Sequence, residues 1–132
     1  MIYLLDVNAL VALGFAHHEF HHRVARWLRA ERFPNLATCS ITELGFVRVL
    51  AQAPAYGLTL SQAKTLLLRM KQATTPHFAF LADGHDISHL PAWTKTPKQI
   101  TDGHLLNLAA AHGAVLATLD SRIPAAHLIP EK

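Results

Sequence analysis

The sequence predicts an α/β fold: a parallel β-sheet of about four to five strands flanked by helices on both faces. Short apolar runs recur along the chain, segments with helically spaced apolar residues separate them, and turn residues mark the joins. Parallel strands need crossover connections, and runs apolar throughout need cover on both faces.

Residues 2–5 (IYLL) form a buried first strand ending at Asp6. Residues 8–15 read as a helix closing near Gly14. A second helix covers about 19–31, with Phe20, Val24, Trp27 and Leu28 on one face and Arg23, Arg26 and Arg29 on another. Pro34 and Asn35 punctuate the chain before a second strand at 36–38. Ser40 opens a helix to about residue 50, ended by the segment 54–57, and Ser61 caps a fourth helix over about 61–72. Residues 77–81 (HFAFL) read as a third strand, followed by a turn at Asp83-Gly84. Residues 87–99 carry Pro91 and Pro97 and are mostly loop, with room for one helical turn. Thr101 caps a helix running to about residue 112, with Gly113 as its C′ residue. Residues 115–119 form the fourth strand, and 127–129 a short fifth.

At 132 residues the chain suits one domain over 1–132, large enough for a real core. With 51% apolar and 16% charged residues it does not resemble a disordered chain. No apolar run reaches the length of a membrane span, because Asp6 interrupts the first and Glu43 and Arg48 the second. The start, MIYLL, lacks the basic region and cleavage site of a secretory signal. The lone Cys39 cannot form an internal disulfide, which fits a reducing compartment, so a cytoplasmic location is expected. A net charge of +3 tolerates a polyanionic partner without identifying one.

Four carboxylates carry the chemistry. In a parallel α/β sheet the strands' C-terminal ends and the helices' N-terminal ends share one edge, where such folds bind ligands. Asp6 follows the first strand and Asp120 the fourth. Glu43 lies in the first turn of the helix after the second strand, and Asp102 in the first turn of the helix before the fourth. Each also has a structural explanation. Ser40-Ile41-Thr42-Glu43 matches a capping box, Asp102 suits a helix dipole, and Asp6 and Asp120 end strands. Four such explanations are needed at once, whereas one site accounts for all four. Grouped, desolvated carboxylates resist ionisation unless a cation neutralises them, and a hard divalent cation is the natural partner.

The segments LLDVNALVAL, CSITELGFVRVL and ITDGHLLNLAAAHGAVLATLD, in this order, resemble the PIN-domain family, in particular its VapC-type ribonuclease toxins. The resemblance covers residues 3 to 122, nearly the whole chain. It implies a parallel sheet flanked by helices and an endoribonuclease dependent on Mg²⁺ or Mn²⁺, leaving a 5′-phosphate and a 3′-hydroxyl. Asp6, Glu43, Asp102 and Asp120 fall on the family's acidic, metal-holding positions, and Asn8 and Thr118 on polar positions that support the first and last acids. Val7 stands where many relatives have Ser or Thr. The resemblance also implies a VapB-like antitoxin that covers the acidic cleft, and a homodimer.

His18-Glu19-Phe20-His21-His22 satisfies H-E-x-x-H, the zinc-protease signature. The stretch is rich in histidine, and no third ligand has an obvious motif. His18 and His22 are therefore placed on a solvated helix face, away from the acidic edge. The arginine stripe reads the same way. Arg48, Trp93, Lys95 and Lys98 are candidate RNA contacts, with ion pairing of Arg48 and core anchoring of Trp93 as the structural alternatives. Ser61, Ser121 and Cys39 have no His and acid at nucleophile spacing. Two other functions compete. A HAD-like phosphohydrolase would need D-x-D, where this chain has Asp6-Val7-Asn8. An inactive PIN-fold binding module would be favoured by missing acids, and all four are present.

Overall fold

Short apolar runs become the strands of one sheet, those at its centre buried on both faces and those at its edges only in part. In the computed structural model, which describes residues 1–132, they are β1 (Ile2–Leu5), β2 (Asn35–Thr38), β3 (Phe78–Phe80), β4 (Val115–Thr118) and β5 (His127–Leu128). All neighbours pair in parallel, in the order β3-β2-β1-β4-β5. The helices are α1 (Val7–Gly14), α2 (His21–Ala30), α3 (Ser40–Gln52), α4 (Leu60–Gln72) and α5 (Ile100–Ala111). The expected fold class, with helices on both faces and a short fifth strand, is what forms.

Successive strand residues enter different cores, as the period of two requires. Tyr3, Leu5, Leu36 and Ala117 face one side, against Leu10, Val24, Trp27, Phe46 and Leu67 from α1 to α4. Leu4, Ala37 and Leu116 face the other, against Leu105, Leu108 and Ala109 of α5. Leu4 and Leu5 are both fully buried, and each such burial stabilises the fold by about 1.5–3 kcal/mol.

The chain runs outward from β1 through β2 to β3, then returns to place β4 on the other side of β1. The switch point therefore lies between β1 and β4, and the crevice beyond their carboxyl ends is where such a sheet can hold a ligand.

Several helix starts differ from the sequence reading. Cys39, not Ser40, precedes α3, and Thr42 closes that turn by accepting the Cys39 N–H at 2.9 Å. The Ser40–Glu43 capping box does not form, which frees the Glu43 carboxylate. Thr59, not Ser61, caps α4, in a reciprocal box with Gln62 (2.9 and 3.1 Å). A 3₁₀ turn, Pro97–Gln99, leads into α5, so Thr101 lies inside the first turn and caps nothing. The loop over 87–99 holds this turn and another at Ile87–His89, where one was expected. Gly113 follows α5 at φ +67°, a left-handed conformation that favours glycine.

Two close approaches position the acidic edge. A Cβ at Gly45 would stand 2.6 Å from a Val7 methyl, so glycine lets α3 lie directly on the start of α1. The methyls of Val7 fill this contact. A Cβ at Gly103 would meet Thr94 Oγ1 at 2.5 Å, which presses the loop before α5 against the turn carrying Asp102. No helix is long and apolar enough to cross a membrane.

Candidate active site

Asp6 is the best-anchored residue at the switch point. Its backbone N–H donates to Ala117 O across the sheet (2.9 Å), and its Oδ1 accepts the Val7 N–H (2.8 Å), capping α1. Its Oδ2 accepts the Thr118 hydroxyl at 2.8 Å. Thr118 Oγ1 in turn accepts the Asn8 amide (3.3 Å) and the Asp120 N–H (3.0 Å). One donor and two acceptor positions are thereby all used. Asn8 Oδ1 accepts the Leu119 N–H at 3.2 Å. Asn8 and Thr118 thus join the ends of β1 and β4 around Asp6.

Asp6, Asp102 and Asp120 line one cavity of about 400 Å³, together with Asn8, Val11, His18, Val49 and Tyr56. The three carboxylates sense one another. Burial, aided by the Asp120 charge, raises the Asp6 carboxyl above its ordinary pKa, against the hydrogen bonds from Thr118 and Val7. Asp102 is raised by burial and then by the charges of Asp6 and Asp120, with Arg122 opposing. Asp120 is lowered, because the Arg122 guanidinium grips it through Nε (3.0 Å) and Nη2 (3.1 Å).

Glu43 lies on the same edge, but its carboxylate does not line the cavity. Its Oε2 accepts the Thr38 hydroxyl at 2.6 Å and pairs with the Lys71 ammonium at 2.5 Å. The structure therefore brings three of the four acids together and gives the fourth a cation from α4.

No three acidic or histidine side chains close into a ready-made metal cage. The donor set still fits a hard divalent cation. Mg²⁺ is commonly held by one or two carboxylates, with water and substrate phosphate completing its shell. Burial and neighbouring charge disfavour ionisation of Asp6 and Asp102, a penalty that a nearby cation would relieve.

The histidine cluster departs from expectation. His18 lies in a turn ahead of α2, and its Nδ1 accepts the Phe20 N–H at 3.0 Å, while His22 lies within α2. The helical register that H-E-x-x-H requires is absent. Nor is His18 away from the acidic edge: it lines the acidic cavity beside Tyr56. Tyr56 was not singled out by sequence; its only signal was the Pro54–Gly57 punctuation.

Arg23 and Arg26 do not merely face solvent, since they donate to the carbonyls of Ile129 and Glu131 near the C-terminus. Arg48 is exposed on α3, in a separate hollow beside Leu44 and Leu60. Trp93 is half-buried in the loop before α5, and Lys95 and Lys98 are exposed there.

The family model for the PIN domain matches residues 3–127. The chain is 36% identical over 127 residues to Ribonuclease VapC38 of Mycobacterium tuberculosis, covering 91% of this chain and 86% of that protein. Among solved structures, VapC20 of Mycobacterium tuberculosis, a sarcin–ricin loop cleaving toxin, matches with a TM-score of 0.63 at 15% identity, covering 93% of each chain. VapBC2 of Rickettsia felis, bound to a promoter DNA fragment, gives 0.60 at 16% identity, with 97% of each chain covered.

Proposed function

From the premise that this chain belongs to the PIN-domain family and within it to the VapC type, we propose that it is a cytoplasmic endoribonuclease dependent on Mg²⁺ or Mn²⁺. In this reading it is the toxin of a toxin–antitoxin pair, restrained by a VapB-like antitoxin. The observation that carries the proposal is the convergence of Asp6, Asp102 and Asp120 on one cavity at the β1/β4 switch point. Relatives named ribonucleases support RNA as the substrate, and a solved VapBC complex of the same fold supports the antitoxin.

The protein's own residues act by positioning charge. Asp6, Asp102 and Asp120 would hold the cation, and Thr118 and Asn8 fix the direction of the Asp6 carboxylate. Glu43 completes the acidic set when its pair with Lys71 opens. The bound cation would lower the pKa of a water and stabilise charge on the scissile phosphate. Arg122, largely exposed beyond the pair with Asp120, offers a guanidinium toward an arriving phosphate. Lys95, Lys98 and Arg48 supply positive charge along the RNA backbone, and Trp93 braces the loop bearing the two lysines. The proposal also includes a homodimer. A HAD-like mechanism fits poorly, because Asn8 is committed to Thr118 and Leu119 and cannot serve as an acid.

Purified, antitoxin-free protein incubated with labelled RNA tests the reading. Cleavage is expected with Mn²⁺ or Mg²⁺ and none in EDTA. Robust cleavage in EDTA, by a preparation cleared of contaminating nuclease, contradicts it.

A further inference from the structure

A second cleft, of about 610 Å³, adjoins the acidic cavity and is bounded by Phe15, His17, His18, Glu19, Phe20 and Tyr56. His18 and Tyr56 line both openings, so the two adjoin at that pair. The cleft lies in the size range of small-molecule sites, about 300–1,000 Å³.

Its walls are a set of braced rings. Tyr56 ends a 3₁₀ turn closed by Gly57 at φ +64°, and its ring packs edge-on against Phe15, with centroids 4.8 Å apart and planes at 84°. His18 lies parallel to Tyr56 within 6°, with centroids 6.4 Å apart, and 5.8 Å from Phe20. The hydrogen bond from the Phe20 N–H fixes the imidazole's orientation, and burial lowers its pKa, which favours a neutral ring.

The charge of the cleft selects its occupant. No lysine or arginine lines it, since the Arg23 guanidinium beside the Phe20 ring is engaged by the Ile129 carbonyl, and its one carboxylate, Glu19, disfavours a phosphate. A flat, neutral π-system suits these walls. An RNA with its scissile phosphate at the acidic cavity carries such a group toward the adjoining cleft, because the two openings share His18 and Tyr56. Proteins that read single-stranded RNA stack unpaired bases on aromatic side chains in this way.

We propose that the Phe15–His18–Phe20–Tyr56 cleft takes one unpaired nucleobase flanking the scissile phosphate, stacked on Tyr56 and His18. This rests on the RNA-cleaving reading and deepens it. The cleft makes the protein selective for RNA in which a base beside the cut is free of its helix, because a paired base cannot reach the rings.

A cycle between protein rings and RNA bases tests the assignment. A short fluorescein-labelled single-stranded RNA cleaved by the wild type is remade with one abasic residue at each position flanking the cut. Wild-type kcat/KM is expected to fall roughly fivefold to a hundredfold at one flanking position, the range that base–aromatic stacking supports. Tyr56→Leu keeps bulk against Phe15 but removes the π face. It loses a similar factor on intact RNA, mostly through KM, and little more on the abasic RNA, while Tyr56→Phe stays near wild type. His18→Leu gives the same pattern if Tyr56→Leu does not fold. Additive losses, or indifference to every abasic position, overturn the proposal. So does weakened capture of an antitoxin peptide by Tyr56→Leu with unchanged handling of RNA, which would assign the cleft to a protein side chain. If folded wild type cleaves no RNA, the nuclease reading fails by itself. Equilibrium binding of the same RNAs to the same variants then decides the cleft on the same pattern.

Discussion

The Thr118 hydroxyl donates to Asp6 Oδ2 over 2.8 Å and so ties together two residues 112 positions apart in sequence. The same oxygen receives the Asn8 amide and the Asp120 N–H. Three of the residues at the switch point therefore share one hydroxyl. Thr118→Val preserves shape but strands two part-buried donors and takes the hydroxyl donor from Asp6. It should cost about 1–3 kcal/mol of stability and lower the cleavage rate, whereas Thr118→Ser should retain most of both. Urea denaturation with parallel rate measurements checks this, and a fully stable, fully active Thr118→Val would show the network to be dispensable.

Asp102 predicts an unusual pH response. Its folded carboxyl is raised by burial and by neighbouring charges, so ionising it in the metal-free protein works against folding. That unfavourable contribution is fully present above the raised pKa. It fades as pH falls toward the ordinary value of 3.8, because the folded protein takes up its proton before the unfolded chain does. Asp102→Asn should therefore raise the metal-free Tm at pH 7, with the gain shrinking in acid. Thermal melts in EDTA across pH decide it; a lowered Tm at pH 7 would mean that Asp102 is a structural residue.

Much of this was legible in sequence because the signals were short-range or topological. The runs at 2–5 and 115–119 are mostly apolar on both faces, which a covered parallel sheet accommodates, and Asp6 and Asp120 follow directly from where those runs end. Caps were misplaced by one or two residues. Ser40, Ser61 and Thr101 compete locally with Cys39, Thr59 and a 3₁₀ turn, and hydroxyl chemistry alone does not choose between them. Lys71 gave no sign of pairing with Glu43 across 28 residues, since the contact depends on how α4 lies on α3. His18 sits near the expected start of the second helix, and only the folded turn before α2 brings it to Tyr56.

The Glu43–Lys71 pair makes the fourth acid testable. Lys71→Met removes the ammonium that occupies Glu43 in the structure. Its stability cost should be at most about 1 kcal/mol, as for partly exposed ion pairs. If Glu43 joins the cation site, half-maximal activity should need less Mn²⁺ in the variant. An unchanged Mn²⁺ titration would confine Glu43 to bracing α3 against α4.

The broken H-E-x-x-H register predicts that His22 does no metal chemistry. His22→Ala should leave Mn²⁺-dependent cleavage within about twofold, as exposed substitutions remote from a site generally do. Stoichiometric zinc uptake by the wild type that is lost in His22→Ala would restore the zinc reading.

The most direct test of the three-carboxylate site is the RNA cleavage rate of Asp6→Asn at saturating Mn²⁺, with folding verified by circular dichroism. Asn can still accept the Val7 N–H that caps α1, but it lacks the charge that holds a divalent cation. Losing metal-assisted stabilisation of several kcal/mol should slow cleavage by at least about a hundredfold. A folded Asp6→Asn protein that cleaves RNA at the wild-type rate would contradict the account.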